Sequence, residues 1–94
     1  MPAHDVVITG IGLLSCLGEG AEAHWRAFTQ GAGPKLETGK FAPYVVHPLG
    51  EVNWSLQIPR RGDQRQMEPW QRIGTYTAGL ALAAAGIKED AGLL

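Results

Sequence analysis

The chain has 94 residues, a net charge of −1, and 45% hydrophobic against 18% charged residues. That balance excludes a disordered polyelectrolyte and allows one small domain at most, which would bury roughly 65% of its unfolded surface. Near-neutral charge excludes a global basic field for nucleic acid. The single cysteine excludes an internal disulfide framework and a multi-cysteine zinc site.

The N-terminus, Met1-Pro2-Ala3-His4-Asp5, lacks the positive region of a secretion signal. The apolar run from Val6 to Leu17 is too short to span a bilayer and is broken by Gly10 and Gly12. A soluble, cytoplasmic protein is expected. Val6 to Ile11 is continuously apolar and β-branched, the pattern of a strand buried on both faces. Gly10 and Gly12 would let neighbouring backbone approach closely.

A helix is expected from about Ala21 to Gln30, with Ala21, Trp25 and Phe28 on one apolar face and Gly31 as its C′ residue. Residues 31–50 contain Pro34, Pro43 and Pro48 and read as loop, with a short extended piece at Phe41-Ala42. A loop that long argues against a self-contained domain. Glu51-Val52-Asn53-Trp54-Ser55-Leu56 alternates polar and apolar, which predicts a short half-buried strand. A second, alanine-rich helix is expected to begin near Gln66, with Pro69 and Glu68 in its first turn. Its inward stripe reads as Trp70, Ile73, Thr77, Leu80, Ala81 and Ala84, and Gly86 ends it. Gly74 and Gly79 each weaken that helix by roughly 1 kcal/mol relative to alanine, which suggests close contact with another element. The tail from Lys88 to Leu94 reads as a turn.

Gly10-Ile11-Gly12 after a strand invites a dinucleotide-binding reading. Ser15 stands where that pattern needs a third glycine or alanine, and loop separates the glycines from the helix at Ala21. Glycines serving close packing are the better account, and no cofactor is expected. Cys16 would need a base or a helix N-terminus to act as a nucleophile, and nothing in the sequence sets His24 against it. His4, His24 and His47 are scattered without metal-ligand spacing, so no metal site is expected. Arg60-Arg61-Gly62-Asp63-Gln64-Arg65 is the one dense positive patch. Its three arginines could grip a phosphate or a row of carboxylates, or they could form a solvated helix entrance. The Arg-Gly-Asp letters at 61–63 carry no adhesion meaning without a secretion signal.

The stretch Val6-Val7-Ile8-Thr9-Gly10-Ile11-Gly12, followed by Ser15, Leu17 and Gly18, resembles the opening strand and turn of the β-ketoacyl-acyl carrier protein synthases. Cys16 replaces the usual proline of that turn. Trp25 sits where the family has a helix tryptophan. Asp63-Gln64-Arg65-Gln66-Met67-Glu68 is similar to the family's entry to a long helix, and Ala78 to Ala85 to its alanine-rich continuation.

The resemblance implies an α/β fold, the N-terminal part of a thiolase-like layered α-β-α-β-α architecture. Residues 1–94 would be an incomplete first portion of its first half. It implies decarboxylative Claisen condensation of acyl and malonyl thioesters in fatty-acid or polyketide biosynthesis, in a homodimer without organic cofactor. The catalytic cysteine and two histidines would lie beyond residue 94, so no catalytic residue is expected here and the 94 residues alone would be inactive. Arg65, with Arg60 and Arg61, would help dock acidic acyl carrier protein, although Gln66 stands where the family often has lysine. Neither nucleic acid nor membrane is an expected partner. The competing expectations are a non-catalytic chain-length-factor-like paralogue and a small α/β protein-binding module.

Overall fold

The computed structural model describes residues 4–87. Among these residues the class is mixed α/β: a two-stranded antiparallel hairpin and three α-helices. Strand β1 (Leu14–Ser15) pairs with β2 (Gly18–Glu19), Leu14 opposite Glu19 and Ser15 opposite Gly18. Cys16 and Leu17 form the turn, and Gly18 takes φ 131°, a conformation L side chains rarely adopt. Helix α1 (Ala21–Thr29) packs back on the hairpin.

Both sequence-expected helix stops are present. Gly31 (φ 70°) and Gly86 (φ 74°) lie one residue past the C-caps Gln30 and Ala85. After α1, the Gly31 N–H donates to the Phe28 carbonyl and the Ala32 N–H to the Ala27 carbonyl. After the last helix, Gly86 donates to Ala83 and Ile87 to Leu82 in the same pattern. These are two Schellman motifs, each satisfying carbonyls that the helix end would leave open. The expected turn at 88–94 lies outside the described residues.

Several expectations need correction. Residues 6–11 take no regular secondary structure and form no ladder, and among the described residues 5–12 make no backbone hydrogen bond. They are not buried on both faces either: Val6 is 100% and Ile8 83% exposed. The segment is held instead by Gly10 and Gly12, which lie directly on the last helix, α3 (Pro69–Ala84). A Cβ at Gly10 would overlap the Ala81 carbonyl oxygen, and one at Gly12 the Thr77 carbonyl oxygen. Gly10 meets Ala81 and Ala85, and Gly12 meets Thr77 and Ala81, so two residues of the segment keep step with four of the helix, about 6 Å. Because α3 ends at Ala84, Ile8 and Val6 lie beyond its last turn.

Residues 51–56 are not a strand. Trp54–Leu56 form a 3-10 turn, closed by Leu56 N–H on the Asn53 carbonyl and Ile58 N–H on the Trp54 carbonyl. Among the described residues the alternation that suggested a strand has no neighbouring strand to pair with, and a strand without a ladder leaves its polar groups open. Phe41-Ala42 likewise lies in a turn, beneath an isolated antiparallel bridge between Glu37 and Val46.

The arginine segment and the alanine-rich helix are separate elements. Helix α2 spans Arg61–Gln66, Met67 and Glu68 are extended, and α3 starts at Pro69. Proline disfavours helical geometry in the residue before it, so Glu68 becomes an N-cap and Pro69 the first helical residue. The Gln71 side-chain oxygen accepts the Glu68 N–H at 2.7 Å. The buried residue of α3 is Tyr76, at 0% exposure; of the expected stripe Thr77, Leu80 and Ala81 are half-buried, whereas Ile73, Ala84 and Trp70, at 70%, are exposed. Gly79 does meet a neighbour, the Gln57 side chain, whereas Gly74 faces open space.

Tyr76 and Ile58 are the only buried hydrophobic side chains among the described residues. The accessible surface is 7646 Å², against about 5,300 Å² for a compact monomer of this mass. The radius of gyration is 16.4 Å, against about 12 Å for a compact chain of this length. Among the described residues, no helix is long and apolar enough to cross a membrane.

Candidate functional site

The structure divides the three sequence-predicted docking residues. Arg60 is the N-cap of α2, in extended conformation. Arg61 and Arg65 are four residues apart within α2, hence neighbours on one helix face. Both line an open cleft of about 350 Å³ whose other walls are Val52, Asn53, Trp54, Ser55 and Gln64. Arg60 is not part of that lining. Asp63, two residues from each cleft arginine, is turned away from it, and among the described residues neither arginine forms an ion pair.

Gln64 builds the cleft. Its side-chain N–H group donates to the Ile58 carbonyl at 2.6 Å and to Ser55 Oγ at 3.1 Å. These bonds hold α2 against the 3-10 turn that carries Trp54 and Ser55. Because Ser55 Oγ accepts from Gln64, its own hydroxyl proton is free to donate into the cleft.

Trp54 anchors the cleft to the core. Its ring meets Tyr76 edge-on, with centroids 5.6 Å apart and planes at 87°. The Arg72 guanidinium lies over the same indole, 5.9 Å from the centroid, and its buried Nε has no hydrogen-bond partner. Trp54 thus carries the Arg72 guanidinium over its ring and shares the cleft lining with Arg61 and Arg65. The Tyr76 hydroxyl donates to both Glu19 carboxylate oxygens, at 2.9 and 3.1 Å. Burial, with the Glu19 carboxylate beside it, pushes the Tyr76 phenol up to about 12.

A second cluster was not legible in the sequence. His24, buried at 7% exposure, sits between Ser15 and Gly20. Its Nδ1 lies 2.7 Å from the Gly20 carbonyl oxygen, which can only accept, so Nδ1 carries a proton. In the neutral ring Nε2 accepts the Ser15 hydroxyl at 2.6 Å. Ser15 Oγ in turn accepts the Leu17 N–H at 3.1 Å. A serine on an oriented imidazole is the connectivity of a nucleophile and its base. Here the hydroxyl is engaged on both sides and the ring is buried, so the cluster ties the hairpin turn to the first turn of α1. A sequence signal did exist: Ser15 two residues before an N–H it caps is the spacing of a serine turn. The partner nine residues on, His24, was not predictable from it.

Cys16 occupies the hairpin turn, half-buried, beside an open cavity of about 240 Å³ bordered by Ser15, Lys35 and Glu51 among others. The structure sets His24 on Ser15 and not on Cys16. Among the described residues no group of three histidine, cysteine, aspartate or glutamate side chains is placed to hold a metal ion. Comparison with protein-family models, with curated proteins and with solved structures finds no match to this chain.

Proposed function

We propose that this chain is the opening portion of a β-ketoacyl-acyl carrier protein synthase and that its α2 face docks the acidic acyl carrier protein. In this reading residues 1–94 begin the first half of a thiolase-like layered fold. They supply an inner strand from residues 5–12 and part of the carrier-protein surface. The catalytic cysteine and histidines come from elsewhere in the synthase.

One observation carries the proposal. A β-branched apolar segment lies against α3 through Gly10 and Gly12 while its backbone has no backbone hydrogen-bonding partner among the described residues. In this reading it is a strand whose sheet neighbours are contributed from outside these residues, since its apolar, β-branched side chains otherwise stay in solvent. The wide exposure of Trp25, Phe28 and Trp70 supports it in the same sense. Arg61 and Arg65, exposed and without an ion pair among the described residues, support the docking role.

The test is titration of the chain with acyl carrier protein at low and moderate salt. Binding is expected to weaken several-fold on raising salt from about 25 to 200 mM, because rim charges drive the encounter and are screened over a Debye length. Arg65→Ala should weaken it further at low salt. Absence of binding, or binding indifferent to salt, would remove the docking role. Condensing activity is expected only when the catalytic residues are present in the same assembly.

A further inference from the structure

We propose that the cleft between α2 and the 3-10 turn is a binding site for a single phosphate group, gripped by Arg61 and Arg65. The inference rests on the docking reading for its place in the molecule and adds the chemistry of what enters.

The lining supplies positive charge and donors on two sides and no carboxylate. From α2 come two guanidinium groups on adjacent turns, each able to give two parallel N–H donors. From the opposite wall come the Ser55 hydroxyl, freed to donate by its bond from Gln64, and the Asn53 amide. A carboxylate is planar and is satisfied by one bidentate guanidinium. A phosphate is tetrahedral, carries up to two charges, and takes donors from several directions at once. Two facing walls of donors with two full positive charges fit the second shape. The Arg72 guanidinium behind Trp54 adds to the local positive potential without entering the cleft.

The cleft's volume, about 350 Å³, exceeds what a bare phosphate fills. Trp54 forms an apolar wall in the remaining space, so a phosphate ester with an organic substituent is accommodated. Two sources share this chemistry: free inorganic phosphate, and a phosphate ester carried by the docked protein. Arg60, outside the lining, has no part in the grip.

The experiment is calorimetric titration of the chain with inorganic phosphate and, separately, with acetate at low salt. Saturable phosphate binding is expected, with acetate at least tenfold weaker. The Arg61→Ala, Arg65→Ala double variant should weaken phosphate binding tenfold or more, while Arg60→Ala leaves it unchanged. Circular dichroism of each variant establishes that its helices are intact, and Arg65→Lys offers a milder change that keeps the charge and removes the fork. Phosphate binding that is absent, that survives the double variant, or that acetate matches overturns the inference.

A second arm uses acyl carrier protein with and without a phosphate ester attached. Tighter binding of the phosphate-bearing form, lost in the double variant, supports the protein-borne source. Equal binding of both forms leaves carrier-protein docking standing and overturns the phosphate grip as part of it. Phosphate binding without any carrier-protein binding does the reverse: the site stands and the docking reading falls.

Discussion

Close approach of backbone to backbone makes Gly12 one of the most restrictive positions in the chain. Its Cα sits against the Thr77 carbonyl, an oxygen already committed within α3, so an added methyl meets main chain that cannot swing aside. Gly12→Ala is expected to destabilise by roughly 1–3 kcal/mol, the range for overpacking, or to lift the segment off the helix. Gly74, on the same helix but facing open space, is the internal contrast. Gly74→Ala should stabilise by roughly 0.5–1 kcal/mol through helix propensity alone. Opposite shifts of the denaturation midpoints would establish the assignment, and equal ones would refute it. Tyr76 gives the chain a second residue-level signature, in alkali. Its phenol is held protonated up to about pH 12 in the folded state, above the usual value of 10. The folded chain therefore keeps its proton where the unfolded chain loses it. The stabilisation is complete below pH 10 and is lost as pH rises from 10 through 12, amounting to at most about 3 kcal/mol. Denaturant melts between pH 9 and 12 should show this slope, and Tyr76→Phe should remove it.

At the scale of elements, the parts written in local chemistry were legible and those decided by a distant partner were not. Gly31 and Gly86 marked both helix ends because a left-handed C′ residue is a local demand that glycine meets. Pro69 stood in the sequence as a first-turn proline. Its further consequence, an extended Glu68 that cuts the arginine segment off as α2, needed the rule about the residue before proline. The roll of α1 was not readable from Trp25 and Phe28. It is fixed by Ser15 and Gly20 holding His24, and that turns the aromatic face outward, with Trp25 69% exposed. The cleft was half legible. Its arginines were visible as a cluster, but the wall that faces them depends on Gln64 reaching Ser55 and Ile58. Gln64→Ala tests that dependence. It removes two bonds to the 3-10 turn, each worth about 1 kcal/mol net. Amide exchange in α2 should accelerate well beyond that in α3, because a six-residue helix has little stability without tertiary support. Uniform acceleration in both helices would mean that α2 is held by something else.

For the whole molecule, the balance of buried and exposed surface decides how the chain behaves. A core of Tyr76 and Ile58, with Trp54 and Gln57 around them, is small for 94 residues. The large surface includes apolar side chains left in solvent along residues 6–11 and on α1 and α3. Exposed apolar patches beside unpaired backbone attract other chains, whether the intended neighbour or a stray copy. Val6 and Ile8 are the positions where this can be changed without touching the fold, since they lie past the end of α3 and beyond the glycine contacts. Ile8→Lys is expected to leave the denaturation midpoint within about 0.5 kcal/mol of the parent, as for an exposed site free of special contacts. The same change should lower concentration-dependent light scattering and the binding of an apolar dye, because a charge on an open edge opposes pairing. It should also weaken association with a chain that supplies the missing strands, which joins the two expectations to one surface. A loss of stability of about 2 kcal/mol or more would instead place Ile8 inside the packed structure. Unchanged scattering would move the adhesive surface to Trp25, Phe28 and Trp70.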